Sequence, residues 1–372
     1  MVVTLILFLL VTSLYIGWVI WLFTLWLQIP ERKAMASDAG HLSIVIPFRN
    51  EIDNLSALIR SLKAVVSVCQ NIEIIFIDDD SSDDSVRVIE QFQREQPGVL
   101  LHRQHNTVGK KSGVDLAVSV SNRPWIVALD ADVNLPENWL TAVAAHTAQS
   151  DAAMLILPLR IGPASNNVSH LQEVEFLSVM GVTATMAFAG KPILCNGANL
   201  CFRKEAYDAV RAKRNDFHIT SGDDLFLLHA LKAEYGIEWI HDVNTIVTTQ
   251  PHTSAAGLVR QRLRWMGKTA RLNDSALRNT AYLTFCMNAL LLIGFCCSVF
   301  YPQLFSYMLL FFGLKVVADA SLIVAVGSWM CIKRVKRFYA LLIFIYPLYA
   351  TLFPLISILY KPTWKERATN IA

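Results

Sequence analysis

Three short apolar runs in the middle of this chain each end on acidic residues. Leu42-Ser43-Ile44-Val45-Ile46-Pro47 leads into Phe48-Arg49-Asn50-Glu51. Ile72-Glu73-Ile74-Ile75-Phe76-Ile77 leads into Asp78-Asp79-Asp80-Ser81-Ser82-Asp83, and Trp125-Ile126-Val127-Ala128-Leu129 into Asp130-Ala131-Asp132. Like charges sharing one edge repel, so a cation or a set of donor groups has to relieve them. Taken singly, each cluster reads equally as a turn or a helix cap, which Asp and Ser both favour. A fourth acidic step, Gly222-Asp223-Asp224, opens the helix-like run Leu225 to Leu231, where two carboxylates complement a helix dipole or serve as a base.

The elements that must carry these residues follow from the apolar pattern. The three runs are β-branched and short, as buried strands are, and Ile52 to Val68, Ser85 to Gln93 and Ser112 to Val120 have apolar residues at helical spacing. Alternating strands and helices predict an α/β fold with a mainly parallel sheet and right-handed crossovers. Ligands of such sheets bind at the carboxyl ends of the strands, where the acidic clusters lie. This soluble α/β domain is expected over residues 40–275.

The two ends have a different character. Val2 to Leu27 holds no charged residue, long enough at ~1.5 Å per residue to cross a hydrocarbon core of ~30 Å. Met1-Val2-Val3 lacks the basic start of a signal peptide, so residues 1–30 are expected to be an uncleaved anchor. Arg32 and Lys33 then predict a cytoplasmic catalytic domain by the positive-inside rule. Residues 280–360 are expected to form a C-terminal bundle from Tyr282 to Phe300, Leu304 to Met330 and Phe338 to Tyr360, followed by a basic tail, 361–372. Pro347 and Pro354 leave open whether the last segment spans or re-enters. Lys315 and Asp319 lie four apart on one helical face, as a structural pair or as a functional group in the membrane. Phe176 to Ala189 reads as a buried helix or, preferred, as one dipping into the interface.

Composition narrows the function. Hydrophobic residues are 54% and charged residues 17%, against about 25% charged in ordinary soluble domains. That apolar content excludes disorder as the dominant state. The net charge of +3 gives no basis for a nucleic-acid partner, and no obligate protein partner is implied. Seven cysteines form no Cys-x-x-Cys pair, which leaves a zinc site or disulfide framework unsupported.

Five motifs in order resemble family 2 glycosyltransferases of the GT-A fold: Ser43-Ile44-Val45-Ile46-Pro47 with Asn50-Glu51; Ile77-Asp78-Asp79-Asp80-Ser81 and Gly109-Lys110; Asp130-Ala131-Asp132; Ser221-Gly222-Asp223-Asp224; and Gln261-Arg262-Leu263-Arg264-Trp265. The match covers about residues 41 to 270. The membrane-flanked layout is similar to the ceramide-glucosyltransferase-like and polysaccharide-synthase-like branches. The resemblance implies a GT-A nucleotide-sugar-binding domain flanked by transmembrane helices, in a multi-pass integral membrane enzyme. It would move a hexose or N-acetylhexosamine, with inversion, from a UDP-sugar to a lipid or lipid-linked saccharide acceptor at the membrane. The alternatives are a processive polysaccharide synthase and an inactive membrane-anchored nucleotide-sugar-binding protein.

The same resemblance assigns roles. Asp132, and Asp130 less directly, would hold Mg²⁺ or Mn²⁺, whose hard-cation chemistry suits carboxylate and diphosphate oxygens. Asp78 and Asp79 would accept hydrogen bonds from the uracil, with Pro47, Arg49 and Glu51 lining the nucleotide pocket. Asp80 stands where the family has glycine, a departure at the local turn. Lys110 is expected at a phosphate or ribose, Asp224 as general base and Asp223 as its orienting neighbour. Asn196-Gly197-Ala198-Asn199 is similar to the loop before the base, with Asn199 at the acceptor; a simple turn is the equal alternative. Ser254 to Lys268 should be helical, placing Gln261, Arg264, Trp265 and Lys268 on one face. That helix is either a basic interfacial helix or, by resemblance, the segment that closes the site over 254–270, with Arg264 toward the diphosphate and Gln261 and Trp265 toward the acceptor.

Overall fold

The computed structural model describes residues 2–32, 37–67, 71–104, 109–214, 222–269, 272–359, 363–364 and 367–368. In chain order, α1 (Val2–Gln28) precedes β1 (Leu42–Phe48), α2 (Ile52–Val66), β2 (Glu73–Asp78), α3 (Ser85–Glu95), β3 (Val99–Arg103), α4 (Lys110–Val120) and β4 (Trp125–Leu129). Next come β5 (Val133–Asn134), α5 (Trp139–Gln149), β6 (Met154–Ile156), β7 (Leu159–Ile161), α6 (Asn167–Phe188), β8 (Asn199–Arg203) and α7 (Lys204–Arg211). The remainder is α8 (Asp223–Leu231), β9 (Ile237–Trp239), a 3₁₀ turn (Val243–Thr245), β10 (Val247–Thr249), α9 (Ala255–Thr269), α10 (Ser275–Ser298), α11 (Leu304–Trp329), α12 (Val335–Leu359), β11 (Thr363–Trp364) and β12 (Arg367–Ala368).

These elements make two compact units. The α/β unit comprises Pro30–Pro163 and Leu194–Gln250; the helical unit comprises Met1–Ile29, Ala164–Ile193 and Pro251–Tyr360. Within the stretch 40–275, residues 164–193 and 251–275 group with the helices and the rest with the sheet.

In the α/β unit a seven-stranded sheet has the order β3-β2-β1-β4-β8-β6-β9. β1 runs parallel to both β2 and β4, so the ends of these three strands share one edge. β8 lies antiparallel to both β4 and β6, which makes the sheet mixed but mainly parallel. The short runs read from sequence are buried at every position of β1, β2 and β4, as a sheet covered on both faces requires. One strand between them, β3, was not anticipated; its interior is only half-buried, the weaker apolar signal of an edge. A second small sheet, β5-β10-β7, begins one residue after Asp132.

The helical unit contains four helices long and apolar enough to cross a bilayer: Leu5–Gln28, Ser275–Ser298, Leu304–Trp329 and Val335–Leu359. Their outward residues are large and apolar; Val317 is 71% and Ile358 78% exposed, a surface suited to lipid and not to water. α12 continues through Pro347 and Pro354 as one helix, with no re-entrant break. Lys315 and Asp319 are a structural pair: Lys315 Nζ donates to Asp319 at 2.5 Å, and the Tyr15 hydroxyl of α1 donates to the other Asp319 oxygen at 2.9 Å. The run from Phe176 lies within α6, which starts on an Asn166–Ser169 capping box and is buried for most of its length. It is a buried helix of this unit. Gly181 shows why: a Cβ there would stand 3.0 Å from Leu322 of α11, so the two helices meet closely.

α9 is fastened to α6 by charge. Arg262, 3% exposed, pairs with Glu175, which also accepts from the Tyr349 hydroxyl of α12 at 3.4 Å. Removing one member of a buried pair strands the other charge, at a cost of about 3–5 kcal/mol. Arg262→Met is therefore expected to lower the thermal midpoint in detergent sharply, and the double variant Glu175→Leu/Arg262→Met to recover most of the loss. Equal destabilisation by the double variant would show that the pairing is not what matters there.

Candidate functional site

The carboxyl edge of β2, β1 and β4 is held together by backbone donors and one ammonium. Asp78 closes β2 and accepts from the Ser81 N–H at 2.9 Å, which folds the chain into a turn. Asp80 in that turn has φ +59°, a left-handed conformation that favours glycine and that Asp tolerates. Asp79, 1% exposed, accepts from the Gly109 N–H at 3.1 Å, tying β2 to the start of α4. Arg49 lies across the same turn, its guanidinium donating to the carbonyls of Asp79 and Asp80 at 2.6 Å each. Pro47 sits in register with Ile77, and Gly113 of α4 packs on it so closely that a Cβ would lie 3.1 Å away. Glu51 starts α2 and accepts from the Asn54 side chain at 2.7 Å.

Lys110, the first residue of α4, is the hub. Its Nζ donates to Asp130 at 2.5 Å and to the Gly197 carbonyl at 3.1 Å. Burial opposes its charge, but Asp130, Asp223 and Asp224 outweigh burial and hold its pKa above the ordinary lysine range. The Gly197 N–H in turn donates to Asp224 Oδ2 at 2.9 Å. A Cβ at Gly197 would lie 3.0 Å from Lys110 Nζ and 3.3 Å from Asp224 Cβ, so glycine is what lets the ammonium and the carboxylate converge. Asp223 and Asp224 open α8 behind Gly222, whose φ of +91° again requires glycine.

Asp132 is different from its neighbours. Its Oδ2 accepts from the Thr249 hydroxyl at 3.2 Å, while its Oδ1 is buried with no hydrogen-bond partner. Burial first, then the charges of Asp130 and Glu51, push its carboxyl up to about 7. A buried carboxylate oxygen lacking a donor is the expected signature of a cation ligand. The described residues hold no cluster of three or more His, Cys, Asp or Glu able to hold an ion by themselves, so a bound cation would need oxygens from elsewhere. Asp132, with Asp130 beside it, fits a cation shared with a phosphate-bearing ligand.

Asn199 is a correction. It is fully buried at the start of β8; its amide donates to the carbonyls of Pro158 and Thr245, and its oxygen accepts from the Trp139 indole. With both ends engaged inside the unit it serves the fold, not an acceptor. Gln261, Arg264 and Trp265 lie on α9 in the helical unit. There Gln261 accepts from Gln172 at 3.0 Å, and Trp265 stands between Phe176, 6.0 Å away, and Arg262, 4.3 Å away. Burial first, then the charges of Arg264, Arg262 and Arg260, hold His252 below the ordinary histidine range.

The glycosyl transferase family 2 profile matches residues 43–211. That stretch, with the strand edge just described, is a family 2 glycosyltransferase domain. Part of this domain is similar to glycosyltransferase GlyG of Streptococcus pneumoniae, 27% identical over 115 residues, 31% of this chain and 38% of that protein. It is also similar to an undecaprenyl-phosphate 4-deoxy-4-formamido-L-arabinose transferase of Photorhabdus laumondii, 36% identical over 101 residues, 26% of this chain and 30% of that protein. The chain thus spans less than half the length of these curated relatives. Among solved structures, the mannosyltransferase PcManGT of Pyrobaculum calidifontis, in complex with GDP-Man and Mn²⁺, aligns over 95% of this chain and 97% of its own. Its TM-score is 0.60 at 14% identity, a likeness that shows the GT-A-like fold of the glycosyltransferase domain.

Sequence reasoning missed Thr249. It sits on β10, which the buried Asp242 supports: Asp242 accepts from His146 at 2.9 Å and from the backbone and side chain of Asn244 at 2.9 and 3.0 Å. Burial opposes the Asp242 charge, but these bonds outweigh it and hold its pKa below the ordinary aspartate value. The stabilisation is therefore present above about pH 4 and lost as pH falls through the lowered value. Asp242→Ala is expected to cost about 1–3 kcal/mol for the donors it strands. Hydrogen exchange should then rise over residues 243–249; unchanged exchange there would remove Asp242 as the support of β10.

Proposed function

We propose that this protein transfers a sugar from a nucleoside diphosphate sugar, with UDP as the expected carrier, to an acceptor held at a membrane, with inversion at the anomeric carbon. The observation that carries this reading is Asp132 Oδ1, a buried oxygen without a donor, on the same strand edge as Asp79, Lys110 and Asp224. A divalent cation, Mg²⁺ or Mn²⁺, would be held by Asp132 with help from Asp130, and when bound supplies Lewis-acid stabilisation of the departing diphosphate.

The chain's own residues divide the remaining work. Asp79, Arg49, Pro47 and Glu51 define the nucleotide end. Lys110 is a cation already paired with Asp130 and within the field of both Asp223 and Asp224, so it balances the acidic rim when the diphosphate arrives. Asp224 is the proposed base: the Gly197 N–H fixes one oxygen, orienting the carboxylate toward an acceptor hydroxyl whose proton it takes as that oxygen attacks C1. Asp223 tunes this charge as its neighbour. Gln261, Arg264 and Trp265 enter through their motif, Arg264 for the diphosphate and the other two for the acceptor.

The four apolar helices support a membrane setting, and the lipid-phosphate relatives make a polyprenyl-type carrier a natural acceptor to test. An ionised phosphate oxygen needs little help from a base, whereas a hydroxyl does, so the base variant discriminates the two. Asp224→Asn is expected to lower turnover by about 10²–10⁴-fold while nucleotide binding survives. A loss below about tenfold would point to a phosphate acceptor, and unchanged turnover would remove Asp224 from the mechanism.

Purified protein in lipid should release nucleoside diphosphate from one donor in a screen of UDP- and GDP-sugars, and mass spectrometry should find one sugar added to the acceptor. A long polymer from one initiation would replace single transfer by processive synthesis. Absence of release from every donor would favour a binding protein that has kept the fold.

A further inference from the structure

We infer that Thr249 is a positioning residue that fixes how Asp132 presents itself to a cation, and that it thereby selects small octahedral ions over Ca²⁺. The inference rests on the cation reading of Asp132 and goes beyond it, because it concerns a residue outside the acidic motifs.

Thr249 ends β10, whose place is set from both sides. Antiparallel pairing with β5 puts Thr249 opposite Val133, the residue after Asp132. Parallel pairing with β7 puts it opposite Ile161, and the Gly162 N–H donates to the Thr249 carbonyl at 3.0 Å. With its backbone held on both edges, the hydroxyl reaches Asp132 Oδ2 at 3.2 Å and donates to it. Oδ1 is the atom left buried without a partner.

The two oxygens of one carboxylate are therefore not equivalent. Binding through Oδ1 alone keeps the Thr249 bond intact. Binding through both oxygens makes Oδ2 share its electron density between the ion and the Thr249 hydroxyl, which weakens the second ion–oxygen bond. Mg²⁺ prefers near-octahedral coordination at about 2.0–2.1 Å, which single-oxygen carboxylate ligation satisfies. Ca²⁺ takes six to eight oxygens at about 2.3–2.6 Å and often uses both oxygens of a carboxylate. A hydroxyl that occupies Oδ2 accordingly penalises the larger ion more than Mg²⁺ or Mn²⁺. Hydrogen bonds of this kind behind a ligand are known to change metal affinity by about 10–100-fold. Asp130, Glu51 and Lys110 set the charge around Asp132, and the Thr249 hydroxyl bonds one of its two oxygens.

The test uses the full chain in lipid nanodiscs, Mn²⁺ as the probe, electron paramagnetic resonance to count free Mn²⁺, and Ca²⁺ as competitor. Wild type and Thr249→Ser, which keeps the hydroxyl, should show the same preference for Mn²⁺. Thr249→Val, close in shape but with no donor, should still bind Mn²⁺ while Ca²⁺ displaces it at about tenfold lower concentration or less. A Thr249→Val protein with the wild-type preference, or one that binds neither ion while folded by circular dichroism, overturns the inference. Asp132→Asn separates this from failure of the underlying reading: if it binds Mn²⁺ as wild type does, the cation is not at Asp132 at all.

Discussion

The α/β unit depends on one electrostatic constraint: too many carboxylates at the end of three adjacent parallel strands. Asp130 and, from α8, Asp223 and Asp224 act on the ammonium of Lys110, Asp130 and Glu51 act on Asp132, and Asp79 is tied to the neighbouring Gly109. Each carboxylate is compensated differently. Asp79 receives a backbone N–H from the start of α4, Asp130 receives the lysine, and Asp224 receives the N–H of Gly197. Asp132 keeps a buried oxygen with no donor, and burial, then the charges of Asp130 and Glu51, push its carboxyl toward neutrality. The rim is thus short of compensation at one atom, Asp132 Oδ1.

This uneven compensation also explains why so much of the surrounding fold is strict about residue type. Glycine at 197 leaves room for Lys110 and Asp224 to approach closely, and Gly222 is required by the backbone turn into α8. Asp80 takes a left-handed turn at the position the family gives to glycine. The small β5-β10-β7 sheet serves to bring a hydroxyl behind Asp132. The helical unit solves a similar problem in apolar surroundings, by pairing Arg262 with Glu175 and Lys315 with Asp319.

The strand ends were legible because their signals are local. A buried β-branched run followed at once by Asp is visible in a few residues, and the βα alternation fixes which ends lie together. What escaped depends on distant partners. Thr249 is 117 positions from Asp132 and sits in a three-residue strand, so nothing near it announces its task. Nothing near Arg262 signals its burial, which rests on Glu175, 87 positions away. Asn199 was read in a loop because Asn-Gly-Ala-Asn has turn chemistry, whereas β8 begins at that residue and its amide is consumed by two carbonyls. The packing of α6 is equally distant in sequence: the capping box at Asn166 starts a helix that packs on α1, α11 and α12, from the apolar ends of the chain.

Anomalous diffraction at the manganese edge, from crystals of the protein grown with Mn²⁺ and the nucleoside diphosphate it releases, addresses the central claim most directly. The account predicts one strong peak at ligand distance from Asp132 Oδ1, shared with diphosphate oxygens, with the Thr249 bond to Oδ2 retained. A bound nucleotide whose manganese lies away from Asp132, with that carboxyl protonated and unliganded, would contradict it.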